Sequence, residues 1–192
     1  MVVARLRDRY LPMKAAEEET GYVEGKLTWP YTMMFSMSKH GLYVKSHEIT
    51  DIEEFIEDPV ASLRRQIDDE DALQYQIENS DLELEVDRAR LCRNDPRINF
   101  VVGVPTFEDI ATILDRGGEV ICLVNGAVLI NSTAYRPHFV IVRAVEDQHL
   151  VIDDPGPPAK PGWRISRSTF REAWTDPSPT VANYLACSGN RL

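Results

Sequence analysis

The stretch PHFVIVRAVEDQHLVIDDP, residues 137 to 155, decides how this chain folds. Phe139, Val140, Ile141 and Val142 form an apolar, β-branched run, Glu146-Asp147-Gln148 is polar, and Leu150, Val151 and Ile152 form a second run. Two such runs around a polar turn predict a buried β-hairpin. His138 opens the first strand, and Asp153-Asp154-Pro155 ends the second, so the hairpin brings an imidazole and a carboxylate to the same end. A carboxylate that takes the Nδ1 proton of a histidine fixes its tautomer and frees Nε2 as a base. Composition alone favours a plainer reading: a surface histidine and a turn-capping Asp-Pro.

Moving outward, strands are expected near 98–104, 119–124, 138–145, 148–153, 163–166 and 180–187. Between the first two, Thr106 with Asp109 three residues on approximates a capping box. It opens a helix whose apolar face is Phe107, Ile110, Ile113 and Leu114, and Gly117-Gly118 ends that helix. Residues 125–136 read as a loop. Thr169 to Glu172 has a second capping-box pattern, opening a helix through Trp174.

The first half reads as mainly helical. Val2, Val3, Leu6 and Tyr10 share one face of a helix over Met1–Leu11 that lacks an N-cap. A second helix has Trp29-Pro30 in its first turn and Gly41 just past its end. A short strand is expected over Leu42–Glu48. The charged section Asp51–Arg93 carries apolar residues at helical spacing and predicts two or three helices broken near Pro59 and Asn79-Ser80. Its run Asp68 to Asp71 reads as a solvated helix face.

Composition excludes several classes. The chain has 31 acidic and 21 basic residues, a net charge of −10, which disfavours binding the phosphates of nucleic acid. No run approaches a membrane span, and Met1–Leu11 carries three arginines where a secretory signal has an apolar centre, so a cytoplasmic location is expected. The three cysteines, Cys92, Cys122 and Cys187, lack CxxC spacing. Cys122 and Cys187 sit in apolar strands, as inert thiols do, and no motif marks Cys92 as a nucleophile. The four histidines are too scattered for a metal site, and no GxxxxGK[ST], HExxH or GxSxG occurs. No cofactor is expected.

The segment from His138 to Asp154 resembles the C-terminal half of the C39-like branch of the papain-fold cysteine peptidases, where a histidine, an apolar strand, a polar turn, a second apolar strand and Asp-Pro follow in that order. Thr106–Val124 (TFEDIATILDRGGEVICLV) resembles the helix, glycine turn and strand before that histidine. Trp29–Val44 (WPYTMMFSMSKHGLYV) resembles the second helix and the strand after it. The chain is also similar to the guanylyl-cyclase-like family of plants and animals, which shares this fold. The resemblance implies an α+β, papain-like domain over 1–192, an antiparallel sheet packed against N-terminal helices. In it 1–93 is mainly helical, 51–93 is a candidate lid or partner surface, and 98–187 forms the sheet part. It makes His138 and Asp154 two members of a catalytic triad. It makes Asn131, Ser132, Thr133 and Tyr135 candidate substrate contacts, because that loop borders the cleft.

In the resembled family the nucleophile is a cysteine at the N-terminus of the first helix, with a glutamine shortly before it. The helix after that cysteine resembles Met1–Leu11, and this sequence has neither residue. Met1 is therefore expected to be an internal methionine of a longer protein whose upstream segment supplies both. Two functions follow. One is a peptidase, amidase or acyltransferase acting on a peptide or small acyl or amide substrate once that cysteine is present. The other is an inactive papain-like domain that binds a peptide or protein partner. Cyclase activity would need carboxylates holding metal ions near a triphosphate, and no such motif is seen. The chain as written is expected to be inactive toward peptides.

Overall fold

The computed structural model describes residues 13–132 and 135–192. The helix expected over Met1–Leu11 and the candidate contact Thr133 lie outside the described residues. The architecture is α+β. Among the described residues, seven strands form one sheet: β1 (Tyr43–Glu48), β2 (Ile98–Val102), β3 (Glu119–Asn125), β4 (Pro137–Val145), β5 (His149–Asp154), β6 (Lys160–Ser166) and β7 (Tyr184–Ser188). Their order is β2-β1-β7-β3-β4-β5-β6.

The sheet is mixed, which corrects the expectation of an antiparallel one. β1 and β2 run parallel, and every other neighbouring pair is antiparallel. A parallel pair needs a crossover longer than a hairpin turn, and the charged section of the chain supplies it. β1, expected only as a short strand, sits inside the sheet between β2 and β7. The last strand is shorter than expected, because Pro179–Val181 forms a 3-10 turn before it.

Both faces of the sheet are buried, and the period-2 alternation of a strand divides its residues between two cores. On β3, Val120, Cys122 and Val124 face one way and Ile121 the other. The register carries this across neighbours: Val120 is opposite Val142 and Ala186, and Ile121 is opposite Ile141 and Leu185. The first core joins Ile121, Ile141, Leu185 and Val44 to the helices of the first half, including Tyr31, Met34, Phe55 and Leu73. The second joins Val120, Val140, Leu150 and Ile152 to α7 (Phe107–Asp115) and α9 (Arg167–Trp174). The result is three layers, helices on each side of one sheet. Each fully buried Leu, Ile or Phe in them contributes roughly 1.5–3 kcal/mol over an exposed one.

The helices of the first half are α1 (Met13–Thr20), α2 (Pro30–Lys39), α3 (Ile52–Glu57), α4 (Pro59–Gln66), α5 (Glu70–Glu78) and α6 (Leu82–Arg93). The charged section thus holds four helices rather than two or three. Its aspartates explain the count. Asp51, Asp58, Asp69 and Asp81 each precede a helix, and each side chain accepts a backbone N–H of the first turn at 2.8–3.2 Å. An aspartate there satisfies a donor the helix cannot, and its charge suits the positive end of the helix dipole. Residues 68–71 are exposed, as a solvated face would be, and they also form the start of α5, with Asp69 as its cap. The section is integral to the first core: Phe55, Leu63, Leu73, Ala89 and Cys92 are all buried.

The Thr106 cap is present as a reciprocal box with Asp109. The cap of α9 is different from the one expected. Ser166, not Thr169, is the N-cap, and Thr169 N–H donates to its Oγ at 3.0 Å. Residues 125–136 contain a short helix, α8 (Gly126–Leu129), within the expected loop.

Candidate active site

The hairpin of β4 and β5 sets the central geometry. Val142 and Ile152 are opposite each other and buried in the second core. Counting by twos, His138 keeps the parity of Val142 and Asp154 that of Ile152, so both side chains fall on one face as diagonal neighbours. His138 Nε2 lies 2.7 Å from Asp154 Oδ1. The pair is largely enclosed, with side chains 20% and 11% exposed. The nitrogen that meets the carboxylate differs from the one expected from sequence: Nε2, not Nδ1, faces Asp154.

Three devices hold this pair. The first is the split of Asp153 and Asp154 to opposite faces. Asp153 Oδ2 accepts from Arg143 Nε at 2.6 Å, and Arg143 also pairs with Glu119, so the neighbouring carboxylate is held away from the histidine. The second is Gly156. Its N–H donates to Asp154 Oδ1 at 2.8 Å from a backbone with φ of +79°, where a Cβ would lie 2.2 Å from the carbonyl carbon of Pro158. Only glycine fits there. The third is the strand end before α8. The buried Asn125 Oδ1 accepts from Ala127 N–H at 3.0 Å and Arg136 N–H at 2.9 Å, and its Nδ2 donates to Asp176 at 2.6 Å. Gly126 N–H donates to Arg136 O at 2.8 Å. These bonds close the 125–136 segment and deliver the chain to His138.

Burial alone would push the Asp154 carboxyl up. The His138 and Gly156 hydrogen bonds, with the nearby charges of His138 and Lys160, outweigh it and hold the group below the ordinary carboxylate value. Asp154 is thus ionised at neutral pH and fit to orient an imidazole.

His138 is one of the residues lining a cavity of about 700 Å³, and Asp154 is not. The cavity runs between the first core's helices and the sheet, past Trp29, Tyr31, Phe55, Phe139 and Leu185. Tyr135 also lines it, its ring edge-on to Tyr75 with centroids 6.1 Å apart. Burial, Asp176 and Tyr75 push its hydroxyl up to about 12. Asn131 and Ser132 are exposed and outside the lining, so of the described loop candidates the fold brings only Tyr135 to His138's cavity. Asn131 takes a left-handed φ of 58°, a turn role asparagine suits.

No cysteine of the chain stands beside the pair. Cys92, Cys122 and Cys187 are all buried. Burial pushes Cys92 and Cys187 up to about 12, and Cys122 further. Cys92 Sγ donates to Tyr31 O at 3.1 Å. The chain matches no protein-family model and no curated protein. Among the described residues no group of three or more His, Cys, Asp or Glu side chains gathers to hold a metal ion, and no helix is long and apolar enough to cross a membrane.

Sequence reading missed two contributors. Asn125 left a faint signal, an Asn-Gly at a strand end, which marks a turn or cap. Glu48 left none. It ends β1, lines the cavity, and accepts from Ser46 Oγ at 2.7 Å and Thr50 Oγ1 at 2.9 Å.

Proposed function

We propose that the cavity is the substrate cleft of a papain-like, C39-type domain, and that His138 and Asp154 are the base and orienting carboxylate of its acyl-transfer chemistry. One observation carries this reading: a 2.7 Å imidazole–carboxylate pair whose histidine is one of the residues lining the cavity. In such a site Nδ1 takes the proton of a thiol, the thiolate attacks an amide or ester carbonyl, and the imidazolium returns the proton to the leaving group. Asp154 holds the ring by its Nε2–H throughout. Peptidase, amidase and acyltransferase differ only in what enters the cleft and what accepts the acyl group.

The thiolate in this reading is none of the three cysteines of these 192 residues, which are buried. The same burial favours a second reading, a papain-like domain that binds a peptide in the cleft without chemistry. The reading frame upstream of Met1 separates them. Expressed in continuation with this chain, it should add a cysteine that iodoacetamide labels and hydrolysis of a peptide or thioester that is lost on His138→Ala. A frame without that cysteine, or activity that survives His138→Ala, would overturn the catalytic reading.

A further inference from the structure

The cavity has chemistry at a second place, away from the histidine pair. Glu48 is a carboxylate on its wall, and each oxygen accepts one hydroxyl, from Ser46 and from Thr50. No Lys, Arg or His among the described residues pairs with it. Lys26, which lines the same cavity, donates instead to Glu78 O at 3.2 Å. Burial pushes the Glu48 carboxyl above the ordinary glutamate value, and the two hydroxyls draw it part of the way back. A carboxylate in such surroundings is costly unless a cation joins it. Two hydroxyls leave each oxygen with further acceptor capacity.

The surroundings suit a cation. Trp29, Tyr31 and Phe55 line the cavity as one aromatic cluster, with ring centroids 5.2–6.2 Å apart. The charge of Glu48 is felt at Tyr31, where it adds to the effect of burial in raising the phenol. Aromatic faces attract cations. Gln76 adds an acceptor: it lines the cavity, and its Oε1 is buried with no hydrogen-bond partner. An ammonium or guanidinium group brings N–H donors for the Glu48 carboxylate and Gln76 Oε1, and a positive charge for the carboxylate and the aromatic faces.

We propose that the Glu48 wall is a subsite for a cationic group of the ligand, a primary ammonium or a guanidinium. This rests on the reading of the cavity as the ligand site, and it names the substrate class: peptides or amides with a basic side chain, or free amines.

The test is binding of matched probes to the whole chain by calorimetry. Nα-acetyl-lysine amide should bind about ten-fold or more tighter than its neutral analogue Nα-acetyl-norleucine amide, the size expected when a hydrogen bond to a charged group is gained. Glu48→Gln should bring the two within a few-fold while leaving norleucine amide binding intact, which also shows that the variant folds. In the unaltered chain, the Glu48 carboxyl carbon resonance should shift with the lysine amide and not with the norleucine amide. n-Pentylamine distinguishes the sources: binding as tight as the lysine amide assigns the subsite to free amines, and much weaker binding assigns it to peptides. His138→Ala should keep the cationic preference, so loss of catalysis and loss of this subsite are read separately. Equal affinity for the two amides, a preference that survives Glu48→Gln, or no saturable binding of either amide would overturn the proposal.

Discussion

Gly126→Ala reaches the histidine pair without altering either member. A Cβ on Gly126 would lie 2.9 Å from His138 Cβ and 3.3 Å from its Cγ. Carbon atoms pack best at about 3.5–4.0 Å, so the imidazole must retreat by roughly 0.6–1 Å. Directed away from Asp154, such a retreat would lengthen the 2.7 Å bond to about 3.3–3.7 Å, where a hydrogen bond is largely lost. A bond to a charged group is worth about 1.5–3 kcal/mol. Alanine returns roughly 0.5–1 kcal/mol, because Gly126 is helical and has no left-handed φ that would strain it. The net loss should be about 1–2 kcal/mol at pH 7. Two readouts check it. Urea midpoints give the loss of stability, with Gly189→Ala as control, since a Cβ there meets nothing within 4 Å. A carbon-detected titration of Asp154 should show its carboxyl rising toward the ordinary value as the His138 bond weakens. Unchanged stability together with an unchanged Asp154 titration would refute the close packing of Gly126 against His138.

Other outcomes are equally specific. The Asp154 carboxyl is depressed in the fold, so its contribution to stability is present above the unfolded value and is lost as pH falls through the folded one. Asp154→Asn should cost about 1–3 kcal/mol at neutral pH and flatten the acid limb of the stability profile; an acid limb identical to that of the unaltered chain would contradict the charged pairing. The three buried thiols should be silent to a disulfide reagent in the native protein at pH 8 and all react in denaturant; rapid native labelling of Cys92 would contradict its burial. Asp69→Ala should cost about 1 kcal/mol in a urea melt through loss of the α5 cap, and a neutral result would count against the capping role of the acidic run.

Legibility of the sequence varied with the range of the interaction. The hairpin could be read because Val140 to Val142, Leu150 and Ile152 are buried locally and bounded by polar turn residues. His138 and Asp154 could be paired for the same reason, as a hairpin fixes which residues lie across from each other. The Thr106 box is local too. The place of β1 could not be read, because its partners are remote: Val44 lies opposite Ile98 on one side and Cys187 on the other. Nothing near residue 44 announces those neighbours, so the parallel pair and the mixed sheet were out of reach. The aspartate caps are surface charge as well as caps, and the capping was not legible because capping and solvation draw on the same residue type. Glu48 became a cavity residue only when Trp29, Tyr31 and Phe55 closed over the sheet, a contact no periodicity reports. The ring orientation of His138 depends on which side of the imidazole Asp154 meets, which spacing along the chain does not set.

The tautomer of His138 is the most direct test of the site. A long-range ¹H–¹⁵N correlation on the whole chain, at a pH where the ring is neutral, reads which nitrogen carries the proton. Pairing with Asp154 predicts a proton on Nε2 and a bare Nδ1, with the preference weakened in Asp154→Asn. A proton on Nδ1, or a spectrum unchanged by Asp154→Asn, would contradict the pairing and with it the assignment of His138 as a base.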